Sequence, residues 1–295
     1  MTHSERPILT DPAELETALR DGRYPDGGPV RVLDVRWGGV ARPADKPDGR
    51  EAFELGHIPG AVYVDLETEL ALPPERRTPQ DGRHPLPELD ELQQAARSWG
   101  IDPGDTVVVY DDLKNLSSAR AWWLLRYAGV ADVRLLDGSL RAWTAAGHPL
   151  ETGTGDAPIP GTVTLEYGAL PVIPLDEVAA FAASGVLLDA RAGDRFRGEV
   201  EPIDPRAGHI PGAVSAPTTA NVDANGRFLT PGELRARFEE LGVTDASPVG
   251  AYCGSGVTAA HEAVALTLAG FAPAVYPGSF SQWSNHPELP VKTGE

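Results

Sequence analysis

Six short apolar runs punctuate the chain. Residues 31–35 (RVLDV), 106–110 (TVVVY) and 132–137 (DVRLLD) lie in the first half, and 185–190 (GVLLDA), 248–253 (PVGAYC) and 273–278 (PAVYPG) in the second. Each has the length of a strand but little of the alternation of a sheet wet on one face, so all six predict strands buried on both faces. Between them run stretches with apolar residues three and four apart, at 90–100, 117–129, 232–242 and 257–270, each closing on a glycine. That spacing with that terminus predicts helices. Strands alternating with helices predict an α/β protein whose mainly parallel sheets are flanked by helices on both faces. Such sheets bind ligands at the C-terminal ends of their strands.

The pattern occurs twice. VLDVR (32–36) returns as LLDAR (187–191), and GHIPGAV (56–62) returns letter for letter at 208–214. VVVYDD (107–112) answers VGAYCG (249–254), and LLDGSLRAW (135–143) answers VYPGSFSQW (275–283). Four blocks in one order predict a duplicated domain, with copies at 1–149 and 173–295. Residues 150–172, rich in Gly, Pro and Thr and without helical periodicity, read as the linker.

Composition narrows the chemistry. The 295 residues carry a formal charge of −18, which argues against nucleic acid or an anionic membrane as partner. No apolar run approaches the length of a membrane span, and the N-terminal residues lack a basic stretch followed by an apolar one, so a cytoplasmic location is expected. The one cysteine, Cys253, excludes an internal disulfide, a thiolate zinc cluster and unaided dithiol redox chemistry.

Cys253 ends a predicted strand, and Gly254, Ser255 and Gly256 lead from it into a helix beginning near Val257 or Thr258. A glycine-rich loop at a helix N-terminus turns backbone N–H groups inward and favours an anion, and a thiolate is an anion. The competing reading, an inert cysteine closing a buried strand, requires neither the glycines nor the helix. A cysteine phosphatase needs an arginine six positions on, where Ala259 stands; a dithiol site needs a cysteine at Gly256.

From Val32 to Trp283 the ordered blocks LD-R, HIPGA, Y-C and GS---W resemble the tandem-domain rhodanese-like sulfurtransferases. The resemblance implies two rhodanese-like domains, the first non-catalytic because Asp111 takes the place matching Cys253. The loop CGSGVT (253–258) is similar to that of the 3-mercaptopyruvate enzymes; thiosulfate-using relatives carry basic residues where this chain has Gly254 and Ser255. The implied reaction moves sulfane sulfur through a Cys253 persulfide, cradled by the amides of Gly254, Ser255, Gly256, Val257 and Thr258, with no metal or organic cofactor. The donor is a small anion, 3-mercaptopyruvate ahead of thiosulfate. The acceptor is a thioredoxin, a low-molecular-weight thiol or cyanide. A non-catalytic binding module is the reading from another class.

The same resemblance implies roles for further residues. Ser255 polarises the substrate carbonyl, and His57 couples to it with Asp48 as acidic partner, although a turn histidine and a loop aspartate are the competing readings. Arg195 holds the substrate carboxylate. The family's second arginine falls at Asp204, leaving Arg206, or else Arg197, as the stand-in. Trp37 matches a tryptophan near the site, with packing as its alternative.

Overall fold

This computed structural model describes residues 6–37 and 47–295, and every count below is of those residues. The chain divides into two compact units. The first comprises the described residues up to Leu70 with Pro87–Ala169 and Ala224–Arg227; the second comprises Ala71–Leu86, Leu170–Asp223 and Phe228–Glu295. Most of the expected linker therefore packs with the first unit: Gly161 N–H donates to Arg97 O at 2.7 Å, and Val163 N–H to Ile101 O at 3.2 Å. The segment 71–86, which the repeat assigns to the first copy, belongs to the second unit.

In the first unit β1 (Leu9–Thr10), β2 (Val30–Asp34), β3 (Val62–Tyr63), β4 (Thr106–Tyr110) and β5 (Val133–Leu136) form one sheet in the order β1-β5-β4-β2-β3, every pair parallel. Its helices are α1 (Pro12–Asp21), α2 (Gly49–Leu55), α3 (Leu89–Ser98), α4 (Ser118–Tyr127) and α5 (Ser139–Ala145). The second unit repeats the order with β6 (Val186–Asp189), β7 (Val214–Ser215), β8 (Val249–Tyr252) and β9 (Ala274–Val275) as β7-β6-β8-β9, again parallel throughout. Its helices are α6 (Val178–Ser184), α7 (Gly193–Arg197), α8 (Pro231–Glu240), α9 (Val257–Leu268) and α10 (Ser279–Ser284). No counterpart of β1 forms, but Val172 makes a single parallel bridge to Val275 at the equivalent edge. The predicted parallel α/β architecture is thus present twice.

The repeated letters encode repeated contacts. In LD-R, Arg36 pairs with buried Asp34 at 2.8 Å and Arg191 with buried Asp189 at 2.6 Å. The tyrosines ending the central strands, Tyr110 and Tyr252, accept the amides of Ile58 and Ile210 through their hydroxyl oxygens at 3.0 and 3.2 Å. Each HIPGA turn is thereby fixed to the strand end of its own sheet. All four residues of β8 are buried, between β6 and β9, as a central parallel strand requires. Cys253 follows directly at its C-terminal end.

Candidate active site

The contacts of Cys253 given below lie within the second unit. The thiol is 2% exposed. Its carbonyl accepts the Phe280 amide at 2.9 Å and that of Gly254 accepts the Ser281 amide at 2.8 Å, so the first turn of α10 clamps the loop from behind. Ser279 Oγ accepts the Cys253 amide at 3.1 Å and lies 4.0 Å from Sγ. Gly256 has φ of +82°, a conformation a side chain disfavours, and the turn it permits aims its N–H at Sγ over 3.1 Å. α9 starts at the next residue. Its N-terminal partial charge and the Gly256 amide both stabilise negative charge at Sγ.

The first unit shows what this strand end favours. Asp111 occupies the place of Cys253, and Leu140 N–H donates to its carbonyl at 3.0 Å just as Phe280 N–H does to that of Cys253. The Asp111 carboxylate accepts the amides of Leu113, Asn115, Ser117 and Ser118, each at 2.8 or 2.9 Å. The hydroxyls of Ser117 and Ser139 add two more bonds at 2.9 Å. A carboxylate oxygen lies two bonds beyond Cβ, and so does the outer sulfur of a cysteine persulfide. Asp111 therefore places negative charge, in its own unit, where a persulfide would carry it.

Above Gly254 lie three arginines. A Cβ built on Gly254 would stand 2.8 Å from Arg83 Nη2, so a side chain there would displace the end of that guanidinium, and would meet Arg195 Nη1 and Arg191 Cδ at the ordinary contact distances of 3.5 and 3.9 Å. Arg195 Nη2 pairs with Glu201 at 2.7 Å and with Asp204 at 3.0 Å, and Arg83 Nη1 also pairs with Asp204. Burial pushes the Asp204 carboxyl above its ordinary value against the pull of Arg83. Burial acts in the same direction on Glu201, but the Asp204 amide and Arg195 outweigh it and hold that carboxyl below the ordinary range.

Ser255 is buried, and its hydroxyl meets His84 Nδ1 at 2.7 Å. His57, the histidine expected to couple to Ser255, belongs to the first unit, where its Nδ1 donates to Phe53 O at 3.0 Å and its ring stacks on Phe53 at 3.8 Å. His209 repeats this in the second unit, on Phe196 O at 2.8 Å with a 3.7 Å stack. The HIPGA histidines are thus a matched pair in their contacts, which supports the turn reading of His57 over the relay. The Asp48 side chain caps α2, accepting the Glu51 amide at 2.8 Å, which supports its reading as a local loop residue. Trp37 belongs to the first unit, donating to Glu67 at 2.9 Å.

Arg206, expected as the stand-in for the second arginine, is engaged with backbone carbonyls of its own unit. Its guanidinium donates to four backbone carbonyls, those of Trp283, Ser284, His286 and Leu289, at 2.7–2.9 Å, and so ties down the end of α10. Arg197 pairs with exposed Glu199. Arg83 is the arginine that the second unit places beside Gly254 together with Arg195. Sequence reading passed over Arg83 and His84 because both lie in irregular QDGRHPLP, outside every repeated block. A signal was present: the first copy holds many more residues between its HIPGA block and the next helix (62–89) than the second (214–231), and long loops of that kind commonly carry function.

Comparison with known proteins gives a consistent picture. The family profile of the rhodanese-like domain matches residues 11–146 and 175–286. Mycobacterium tuberculosis SseB, provisionally named a thiosulfate sulfurtransferase, is 45% identical over 290 residues, 97% of each chain. A Pseudomonas aeruginosa protein provisionally named a 3-mercaptopyruvate sulfurtransferase is 46% identical over 271 residues, 90% of this chain and 92% of its own. The crystal structure of Escherichia coli SseA, a 3-mercaptopyruvate sulfotransferase, superimposes with a TM-score of 0.77 at 31% identity, covering 93% of this chain and 99% of that one.

Proposed function

The chain belongs to the rhodanese-like family as a tandem-domain sulfurtransferase, and from that premise we propose that it takes sulfur from 3-mercaptopyruvate onto Cys253 and passes it to a thiol or to cyanide. One observation carries the reading. The Gly256 amide and the start of α9 meet Sγ, while at the matching place in the first unit four amides close around a carboxylate with the reach of a persulfide.

In the first half-reaction the Cys253 thiolate attacks the sulfur of the donor's thiol group. The new S–S bond forms as the C3–S bond breaks, and the electron pair passes into the adjacent carbonyl as the enolate of pyruvate. The thiol proton stays with the outer sulfur, and the enolate takes a proton from water or from the Ser255–His84 pair. Ser255 Oγ, held by His84 at 2.7 Å, donates to the carbonyl oxygen as its charge grows. Arg83 and Arg195 hold the donor's carboxylate. In the second half-reaction an acceptor thiolate or cyanide attacks the outer sulfur, and Cys253 leaves as the thiolate.

Relatives of nearly equal identity carry the names of both donors, so the choice rests on the site. Neutral Gly254 and Ser255 and the pairing of Arg195 with two carboxylates favour a singly charged donor. Thiosulfate is the second reading, supported by the three arginines above Gly254. A cytoplasmic location and a thioredoxin or small thiol as acceptor complete the proposed reading; among the described residues no helix is long and apolar enough to cross a membrane. Turnover of the two donors with cyanide as acceptor tests the assignment: kcat/KM is higher for 3-mercaptopyruvate, and a clear preference for thiosulfate overturns it.

A further inference from the structure

Asp204 stands where the family resemblance implies a second arginine, and the structure gives it an unusual set of partners. Its side chain is 1% exposed, and Oδ1 and Oδ2 are taken separately by Arg83 Nη1 and Arg195 Nη2. The neighbouring carboxylate differs. Glu201 accepts the amides of Ile203 at 3.1 Å and Asp204 at 3.0 Å, so it shapes its own loop as well as pairing with Arg191 and Arg195. Asp189 is committed to Arg191 in a pair that the first unit repeats as Asp34 and Arg36. Asp204 alone among the three carboxylates spends its side chain on the two arginines that flank Gly254.

The formal charges balance. Arg83, Arg191 and Arg195 face Asp189, Glu201 and Asp204, so the cluster is neutral before any donor arrives. A neutral cluster in a buried place has no spare cation for any donor, and the cost of an uncompensated charge rises steeply with its size, so a doubly charged donor is resisted far more than a singly charged one. Arg83 retains an N–H for the single charge: its Nε is buried and without a hydrogen-bond partner.

We propose that Asp204 is the specificity-determining residue for the sulfur donor, an internal counter-ion that shares Arg83 and Arg195 with a singly charged carboxylate and repels a doubly charged donor. The inference rests on the sulfurtransferase reading above.

Asp204→Asn keeps the shape and one acceptor oxygen but removes the charge. With cyanide as acceptor, the ratio of kcat/KM for 3-mercaptopyruvate over thiosulfate falls at least about tenfold in the variant, mainly through a lower KM for thiosulfate, since one unit charge at close range in a poorly solvated site is worth at least that much. An unchanged ratio, with both donors weakened in parallel, shows a merely structural residue and overturns the proposal. A measurement on the unmodified enzyme covers the case in which the variant does not fold. Pyruvate, with one charge, inhibits more tightly than sulfate, with two; equal or tighter inhibition by sulfate also overturns it. Intact mass of the unmodified enzyme after incubation with each donor separates the two levels. No added sulfur with either donor removes the sulfurtransferase reading and this inference with it, whereas added sulfur with an unchanged Asp204→Asn ratio removes only the inference.

Discussion

Replacing Asp111 with alanine tests whether the strand end of the first unit is built around negative charge. The substitution withdraws an acceptor from four backbone amides and two serine hydroxyls, all within 2.8–2.9 Å of it. The hydroxyls can rotate to other partners; the amides cannot. The Asn115 amide keeps Ser139 Oγ as an acceptor at 2.8 Å; each buried donor left unpaired costs about 1–3 kcal/mol, so the other three would cost about 3–9 kcal/mol if the space stayed dry. Water entering the vacated volume recovers part of this, and a net loss of about 4 kcal/mol is expected. Urea unfolding followed by circular dichroism measures it, fitted for the first transition if the two units unfold separately. Added sulfate, which can take the carboxylate's place among the amides, restores part of the loss in Asp111→Ala and has a smaller effect on the unmodified protein. A loss below about 1 kcal/mol, or no recovery with sulfate, refutes the reasoning.

Three other substitutions give distinct signatures. Glu262 is fully buried on α9, where burial pushes its carboxyl up to about 7 while Asn221 donates to it at 2.7 Å. Its folded value lies above the ordinary 4.5, so its contribution to stability is fully present below about pH 4.5 and is lost as pH rises through about 7, a change of about 3 kcal/mol. In Glu262→Gln that part of the pH dependence disappears, read as the difference between the two unfolding curves from pH 4.5 to 8. His84→Ala lowers kcat with 3-mercaptopyruvate by about 10²-fold, the usual range for one assisted proton transfer, and lowers it less with thiosulfate, whose leaving sulfite needs no such transfer. His57→Ala, which loses a turn hydrogen bond and a ring stack, lowers the melting temperature and leaves the donor ratio unchanged.

The fold was legible because parallel strands and amphipathic helices impose separate periods on the sequence, and because the duplication printed each signal twice. The same duplication drew the reading of the site toward the repeated blocks. His57 stands in the most conspicuous repeated block, yet a residue kept in both copies does what both copies need, here a hydrogen bond to Phe53 and a stack on its ring, matched by His209 on Phe196. The residues particular to one copy are those outside the repeat. Arg83 and His84 come from a segment with no periodicity, and their approach to Gly254 and Ser255 depends on tertiary packing across well over a hundred residues. Asp204 was visible as a departure from the family pattern, but its partner Arg83 was not. Asp48 and Arg206 show the commonest fates of a polar side chain, a helix cap and a bracket for backbone carbonyls.

The proposed reaction turns on the state of one sulfur atom. Incubation with 3-mercaptopyruvate in the absence of acceptor, followed by intact-mass and peptide mass spectrometry, measures it. The protein is expected to gain the mass of one sulfur atom on the peptide bearing Cys253, cyanide to remove it as thiocyanate, and Cys253→Ser to gain nothing. A protein that turns over donor without that gain, or a Cys253→Ser variant that retains activity, contradicts the proposed reaction.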